Sequence, residues 1–379
     1  MGTTARLIYA DSEGSADLYY LTRFLAGDPF LYVEQGGRKT LILSDLEIDR
    51  ARREATVHEF VRLQNLTEEV KKRVTAPPRD PAVRIGAHVH VFAEQRRIDA
   101  FEVPGTFPVA VADVLRGHGL GVHWLPPPFV PKRATKSAEE VRHIRRAIAH
   151  TEAAMTAAIE RIRRARIRGQ RLYEGSTPLT SEAVRKTVEQ VLHDRGCHPY
   201  EAIIAGGDQG VDPHERGHGP LPANLPIILD IFPRDNATRY HGDMTRTVVR
   251  GRASAVAKRM FSAVREAKAR AERLIRDGVE GRDVHEAVKK TFEKAKFRTG
   301  ERKGRMVGFF HGTGHGLGLA VHEYPGLGQA PDPLCAGHVV TVEPGLYYPG
   351  AGGVRLEDDV LVTRKGCENL CTLPDEFEI

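Results

Sequence analysis

The order of hydrophobic and polar residues predicts mixed α and β structure in the first third of the chain. LYVEQ, at residues 31–35, and RKTLILS, at residues 38–44, alternate in polarity and are predicted as two strands. Gly36-Gly37 between them is a strong hairpin signal, because tight hairpin turns need residues that accept a positive φ. Asp45 is predicted to cap a helix that runs through residues 45–64.

A further strand is predicted for RIGAHVHVF, at residues 84–92, where His88 and His90 follow each other at period two. Both imidazoles would then lie on one face of the strand. The sequence offers no nearby carboxylate to complete a set of metal ligands, so packed or surface histidines are the favoured interpretation.

A proline-rich segment, WLPPPFVPKRATKSAEE at residues 124–140, interrupts the regular pattern. Four prolines so close together exclude a regular helix or a central strand. We therefore predict two domains, at residues 1–130 and 131–379.

Helical periodicity returns after this segment. Ser137 followed by Glu140 is a capping-box signature, and the helix that it opens is predicted to end near Gly169. A second helix is predicted over residues 180–196, and residues 252–297 form two more helical pieces. Strands are predicted at EAIIAGG (201–207), VVTVEPGLYY (339–348) and GVRLEDDVLVT (353–363).

Composition narrows the class of protein. The chain has 379 residues, 41% hydrophobic and 28% charged, which is typical of globular proteins. No apolar run approaches the length of a membrane-spanning helix, and the N-terminus lacks a signal-peptide pattern, so no membrane association and a cytoplasmic location are expected. Four scattered cysteines are too few for a disulfide framework.

The formal net charge of +6 permits nonspecific affinity for polyanions. Most basic runs, however, carry apolar residues at helical spacing and are therefore interpreted as the solvated faces of amphipathic helices. No stacking aromatics interleave these charges. Nucleic acid is accordingly not expected as a partner.

An oxygen-rich set of candidate metal ligands lies in the second half of the chain. Such ligands suit divalent first-row ions such as Mn²⁺, Co²⁺ or Zn²⁺ better than metals that prefer thiolates. Four carboxylates cannot crowd together without a strong positive charge between them, and two metal ions would supply it. The candidates are Asp230, Asp243, His315, Glu343 and Glu357.

Glycines flank His315 on both sides and allow a close approach of the backbone. A phosphate-binding loop is the main alternative, but neither GxGxxG nor a Lys-Ser/Thr pattern is present. His311 and His315 are spaced as in a helical HxxxH zinc site, but the glycines around them argue against a helix.

At these residues the chain resembles the pita-bread metallopeptidase family, which includes Xaa-Pro aminopeptidases, prolidases and methionine aminopeptidases. The resemblance follows the order of Asp230, GDMTRT, GHGLG, VEPG and RLED and covers the whole catalytic half. It implies an α+β protein in which a pita-bread domain, built of two pseudo-symmetric halves, follows a smaller creatinase-like α/β domain. Asp230 and Asp243 are 13 residues apart, two more than is usual in the family, which should lengthen the loop between their strands.

The resemblance also implies roles for the site residues. Asp243 and Glu357 would bridge the two ions, Asp230 would complete one site, and His315 with Glu343 would complete the other. Glu343 is also similar to the family's general acid-base residue. Arg355, two residues before Glu357 on the same strand face, is expected to orient a carboxylate.

Histidines similar to the family's substrate-side residues are His214 and His322, which would donate to the scissile carbonyl or to the tetrahedral intermediate. His311 is included as a substrate contact. His218 is the alternative to His214. His214 is preferred because its distance of 16 residues to Asp230 is close to the spacing usual in the family that the chain resembles.

The resemblance therefore implies an Xaa-Pro aminopeptidase with two divalent ions, Mn²⁺ preferred, that acts as a homodimer on peptides with proline in second position. The alternatives are a prolidase restricted to dipeptides and a noncatalytic pita-bread binding module. The pocket walls could come from Phe232, Tyr240 and Tyr347, and a prolidase would need a cation for the substrate carboxylate, for which the candidates are Arg216, Arg234 and Arg239.

Overall fold

The computed structural model describes residues 3–73 and 79–379. The chain divides into two compact units, Met1–Arg133 and Ala134–Ile379. The boundary between the units falls inside the proline-rich segment. Within the described ranges, no helix is both long enough and apolar enough to span a membrane.

The first unit is built on a mixed six-stranded sheet. Its strands are β1 Thr3–Ala10, β2 Phe30–Gln35, β3 Arg38–Leu43, β4 Glu59–Arg62, β5 Ile98–Pro104 and β6 Gly121–Leu125, and its helices are α1 Ala16–Thr22, α2 Ile48–Glu54, α3 Leu63–Lys71, α4 Pro81–Arg96 and α5 Val109–Gly117. The strand order is β4-β3-β2-β1-β5-β6. The predicted hairpin is confirmed, since β2 and β3 pair antiparallel around Gly36-Gly37.

Both faces of this sheet are covered. Leu31 and Val33 belong to one apolar cluster, whereas Tyr32 between them belongs to the cluster on the other face. Side chains of a strand alternate between faces, so a strand buried on both sides has an almost continuous apolar sequence. This explains the apolar character of LYV and LIL.

The helix predicted over residues 45–64 is wrong in extent. Between residues 45 and 62 the helix covers Ile48–Glu54 alone, its N-cap Glu47 makes no side-chain capping hydrogen bond, and the next helix begins only at Leu63. The chain leaves the helix at Ala55 and forms β4, which pairs in parallel with β3. The aromatic and β-branched pair Phe60-Val61 favours this strand over a helix.

The strand predicted over residues 84–92 is also wrong, because this segment lies inside α4. Asp80 caps the helix through the Val83 amide, with proline at the first turn. Gly86, Val89 and Ala93 are buried at helical spacing, so the alternation of His and Val concealed a helical face. His88 contacts Thr67, as expected for a packed histidine.

The second unit contains four longer helices, one 3₁₀ turn (Gly207–Val211) and several small sheets in the described part of the chain, and another 3₁₀ turn, Pro131–Arg133, ends the first unit. Its helices are α6 Ala138–Arg164, α7 Ser181–Asp194, α8 Ala255–Leu274 and α9 Gly281–Lys294. Its strands are β7 Arg166–Arg168, β8 Arg171–Glu174, β9 Thr177–Pro178, β10 Cys197–His198, β11 Ile203–Gly206, β12 Ile227–Ile231, β13 Arg234–Asp235, β14 Met244–Val248, β15 Gly300–Arg302, β16 Arg305–Val307, β17 Gly314–Gly316, β18 Glu323–Leu327, β19 Val339–Val342, β20 Gly345–Tyr348, β21 Gly352–Arg355, β22 Asp358–Val362 and β23 Cys367–Asn369.

These elements form two similar halves, as expected for the pita-bread fold. In the first half, α6 and α7 share an apolar cluster with the antiparallel sheet β11-β12-β14. In the second half, α8 and α9 pack against the antiparallel sheet β18-β17-β19-β22-β23 and the hairpin β20-β21. The capping box of α6 is confirmed, because Ser137 and Glu140 exchange both hydrogen bonds.

Candidate metal centre

Two adjoining strands of the first half carry the two candidate aspartates. Asp230 lies in β12 opposite Thr245 of β14, and Asp243 directly precedes β14. The strands are antiparallel, so the two carboxylates come to the same end of the sheet, as predicted. Asp243 is held by its backbone amide, which donates to the Asp359 carboxylate at 3.0 Å.

The second half supplies the other three candidates at breaks in its strands. His315 is the central residue of β17, Glu343 directly follows β19, and Glu357 lies between β21 and β22. The glycine before the histidine is required by space, because a Cβ at Gly314 would lie 1.9 Å from the Thr341 carbonyl oxygen. The backbones of β17 and β19 therefore approach closely enough to present the imidazole to the acidic residues.

All of these side chains line one cavity of about 560 Å³. Asp243, His315 and Glu357 each offer a ligand atom within 4.8 Å of the others. The Nε2 atom of His315 lies 3.5 Å from Oε1 of Glu343 and 3.8 Å from Oδ2 of Asp243. Asp230 faces the same cavity, so the fold brings together all five residues selected from the sequence.

The tautomer of His315 follows from its neighbours. Its Nδ1 lies 3.2 Å from the Gly316 carbonyl oxygen, which can only accept a hydrogen bond. Nδ1 therefore carries the proton, and the lone pair of Nε2 faces the carboxylates. Burial, together with nearby His322, lowers the pKa of His315 to about 4, so the ring is neutral and suited to bind a metal at Nε2.

The carboxylates of the acidic residues repel one another. Burial, reinforced by the neighbouring carboxylates, raises the pKa of Asp243 and Glu357 well above the usual range. Burial likewise raises the pKa of Glu343 to about 7, although Arg355 opposes the shift. Such a cluster holds protons unless another positive charge neutralises it.

Arg355 organises one wall of the cavity. Its guanidinium donates to Asp230 at 2.6 Å, to the Tyr347 hydroxyl at 3.0 Å and to the Thr245 hydroxyl at 3.2 Å. Thr245 in turn donates to Glu357 at 2.8 Å. One arginine therefore orients two of the candidate ligands, one directly and one through a threonine.

The predicted substrate histidines occupy different positions. His214 and His322 line the cavity, and the His322 ring lies edge-on to His315 with 4.2 Å between their centroids. His311 also lines it, but its Nδ1 contacts the Gly312 carbonyl oxygen and its Nε2 the Tyr347 hydroxyl. The side chain of His218 is 73% exposed and does not line the cavity.

Several contributing residues were missed in the sequence. Thr245 belongs to the TRT motif, but nothing in that motif indicates its hydrogen bond to Glu357. Phe310 and Val321 form apolar wall that sequence reasoning did not select. Of the aromatic residues predicted for the walls, Phe232 lines the cavity, whereas the Tyr240 hydroxyl donates to Glu140 away from it.

The chemistry of this site fits divalent metal ions. Oδ1 of Asp230 is buried and accepts no hydrogen bond, and such an orphaned acceptor is costly unless a cation binds it. Four carboxylates and one neutral imidazole face a single guanidinium. The donor set is that of a hard-to-borderline divalent metal site.

A comparison of His315→Ala with His214→Ala tests this assignment. Both variants should lose activity, by about 100-fold or more, but only His315→Ala should lose metal, because His214 faces the cavity without approaching the carboxylates as a ligand. Elemental analysis of both purified proteins measures the difference. Equal metal loss in the two variants would show that the ligand is wrongly assigned.

The chain is similar in sequence to curated peptidases. An uncharacterized peptidase of Staphylococcus aureus strain MSSA476 is 33% identical over 196 residues, which cover 51% of this chain and 53% of that protein. The chain thus spans about half the length of the curated relatives it matches.

Two solved structures share the fold over nearly the full length. The Xaa-Pro dipeptidase from Bacillus anthracis superposes with a TM-score of 0.81 at 22% identity, covering 100% of this chain and 95% of that one. The X-Pro aminopeptidase from Thermotoga maritima gives 0.77 at 22% identity, covering 100% and 98%. The model of metallopeptidase family M24 matches residues 142–364, and the chain therefore belongs to this family.

Proposed function

We propose that this protein is a dinuclear metal-dependent aminopeptidase that hydrolyses the bond between an N-terminal residue and a following proline. The observation that carries the proposal is the convergence of four acidic side chains and a neutral imidazole on one buried cavity. The proteins that share the fold include an X-Pro aminopeptidase and an Xaa-Pro dipeptidase.

Asp243 and Glu357 are proposed as ligands shared by both ions, with Asp230 completing one site and His315 and Glu343 the other. The short separations among Asp243, His315 and Glu357 support a shared centre. When bound, the ions would lower the pKa of a water molecule and polarise the scissile carbonyl. Mn²⁺ is the preferred metal, with Co²⁺ and Zn²⁺ as alternatives that suit the same ligands.

The side chains of the chain itself would handle protons and orientation. Glu343 is proposed to take a proton from the attacking water and to pass it to the leaving nitrogen. His214 and His322 are proposed to donate hydrogen bonds to the substrate carbonyl oxygen as negative charge develops there. His311 is proposed to contribute mainly by fixing the Tyr347 hydroxyl beside Arg355.

A proline at the second substrate position fits the apolar part of the cavity. Ile203, Phe232, Phe310 and Val321 supply compact apolar surface. A proline after the scissile bond has no N–H, so this surface can accept its ring without leaving a donor unpaired.

The charges around the cavity favour an aminopeptidase over a prolidase. None of the three arginines considered as receptors for a dipeptide carboxylate lines the cavity. Arg216 pairs with Glu201 at 2.7 Å, and Arg234 lies over the Tyr200 ring. Arg355, the one arginine or lysine among the described lining residues, is already bound to Asp230. The unit itself therefore offers no dedicated cation to a carboxylate directly after proline.

Substrate length provides the deciding test. With Mn²⁺ added, an X-Pro-Y tripeptide should show a higher kcat/KM than the matching X-Pro dipeptide, by about tenfold or more, because the dipeptide would bring an unpaired carboxylate into the cavity. An X-Ala-Y tripeptide serves as the control for proline selectivity. Faster turnover of the dipeptide would assign the protein as a prolidase.

The metal content of the purified protein distinguishes the proposed enzyme from a noncatalytic binding module. A binding module would retain the fold without needing two ions, whereas the proposed enzyme should bind two per chain. The same purified protein can be examined by light scattering for the homodimer that the family resemblance implies.

A further inference from the structure

A second group of metal-binding residue types lies away from the cavity. His150, Cys197 and Asp235 each offer one ligand atom within 4.8 Å of the others. His150 belongs to α6, whereas Cys197 in β10 and Asp235 in β13 are directly paired across the two short strands. None of the three residues lines the active cavity.

The polar atoms of this group are buried and incompletely paired. Nδ1 of His150 is buried and makes no hydrogen bond, and its Nε2 lies 3.5 Å from Oδ2 of Asp235, which is itself paired with Arg146. The other oxygen of Asp235 is occupied, because it accepts from the amides of Ala237 and Thr238 at 2.9 Å. Cys197 is 1% exposed. Buried polar groups without full pairing are unfavourable, and a bound cation would supply the missing partner.

We propose that His150, Cys197 and Asp235 form an accessory zinc site with a water molecule as fourth ligand. Imidazole, thiolate and carboxylate are the three side-chain ligands that Zn²⁺ takes in proteins, and tetrahedral bonds of about 2.0–2.3 Å require ligand atoms roughly 3.5 Å apart. Nε2 of His150 and Oδ2 of Asp235 are already 3.5 Å apart, and the ligand atoms of all three residues lie within 4.8 Å of one another. On binding, the Cys197 thiol loses its proton to solvent, and the thiolate forms the bond to the ion.

The Arg146 guanidinium pairs with the carboxylate oxygen of Asp235 that the ion would bind. Its Nε lies 2.9 Å from Oδ2 of Asp235, and its side chain is 52% exposed. Because this guanidinium already reaches solvent, it can turn outward when a metal arrives. Its positive charge competes with the metal, so the ion and the arginine are alternative partners of Asp235.

The position of this site links it to the active cavity. Asp235, in β13, lies in the segment between Asp230 and Asp243, and Phe232 of the same segment lines the cavity. An ion held by α6, β10 and β13 would therefore fix the segment that forms part of the substrate wall.

Co²⁺ distinguishes this site from the catalytic centre. A thiolate bound to Co²⁺ gives an intense charge-transfer absorption in the near ultraviolet, and the carboxylate and imidazole ligands of the active cavity cannot give it. Wild-type protein titrated with Co²⁺ until the band stops growing should show the intensity of one thiolate-bound Co²⁺ per chain, and Zn²⁺ should abolish the band. Cys197→Ser should remove the band while leaving the metal of the catalytic centre in place.

Cys371→Ser is the matched control. The Cys371 sulfur accepts a hydrogen bond from the Asp359 amide, which makes it a thiol close to the catalytic carboxylates. This variant should keep the full band. His150→Gln changes a second ligand without altering the thiol. It should weaken the affinity for Co²⁺, measured from the growth of the band, by about 100-fold.

Removing the charge of Arg146 separates metal binding by this group from a purely structural role, because only metal binding would become tighter. Arg146→Gln should tighten Co²⁺ binding at the band by about tenfold, because one positive charge leaves the carboxylate. Arg145→Gln, the neighbouring residue of the same helix, should leave it unchanged, since Arg145 pairs with Glu368. The proposal is overturned if wild type shows no thiolate band, if the band survives Cys197→Ser, or if Cys371→Ser removes it.

Discussion

Asp243→Asn is expected to release both metal ions and to lower kcat/KM on an X-Pro-Y tripeptide by at least about a thousandfold, which corresponds to about 4 kcal/mol of transition-state stabilisation. Asp243 is proposed as a ligand of both ions, so a single change should empty both positions. Asparagine keeps the shape of the side chain, and the buried amide of residue 243 can still donate to Asp359. The loss would therefore report ligation rather than folding.

Elemental analysis and steady-state kinetics on the same preparation measure this effect. Asp230→Asn should mainly empty one position, because Asp230 is proposed to touch one ion. Asp212→Asn is the matched control, since Asp212 lines the same cavity but accepts a hydrogen bond from the His214 amide. Retention of both ions by Asp243→Asn, or their equal loss from Asp212→Asn, would contradict the proposed centre.

Arg246→Met is expected to lower the free energy of unfolding by about 3–5 kcal/mol, because it breaks a buried network of charges. The guanidinium is 2% exposed and donates to the Asp358 carboxylate at 2.7 Å and to the Glu357 carbonyl oxygen at 2.6 Å. Lys268 would remain as the partner of Asp358 and Asp375. The buried carboxylate of Asp358 and the partly buried one of Asp375 would then share one cation.

Arg163→Met makes the same chemical change near the surface. Arg163 pairs with Glu376 at 2.7 Å, but its side chain is 34% exposed, so its removal should cost less than about 1 kcal/mol. Urea unfolding followed by far-ultraviolet circular dichroism is suitable, since the single tryptophan, Trp124, lies in the first unit and does not report on Arg246. Similar costs for the two variants would show that the buried network contributes no special stability.

The second half of the chain was readable from sequence because its signals are local. The capping box at Ser137 and Glu140, the two helical pieces after residue 252 and the strands around Glu343 and Glu357 each depend on neighbours within a few residues. The five candidate ligands were selected because the order of Asp230, GDMTRT, GHGLG, VEPG and RLED resembles the pita-bread metallopeptidase family.

The secondary structure of the first unit was predicted less well. In the two segments that were predicted wrongly, the local sequence pattern favoured one structure, and contacts with residues elsewhere in the chain favoured another. Residues 59–62 became a strand because β3 offered a free parallel partner, and nothing within residues 45–64 announces that partner. Residues 84–92 carry a true alternation of His and Val, yet the cap at Asp80 and the burial of every third or fourth residue made them helical.

The sequence by itself determined which residue types are available for chemistry and the capping residues, Ser137 and Thr180, at which the first two helices of the second unit begin. Only the tertiary structure decided which of them meet. The path from Arg355 through Tyr347 to His311, the hydrogen bond between Thr245 and Glu357, and the cluster of His150, Cys197 and Asp235 all join residues from separate elements. Their energies depend on distance and burial in the folded chain, and neither quantity is present in a linear pattern.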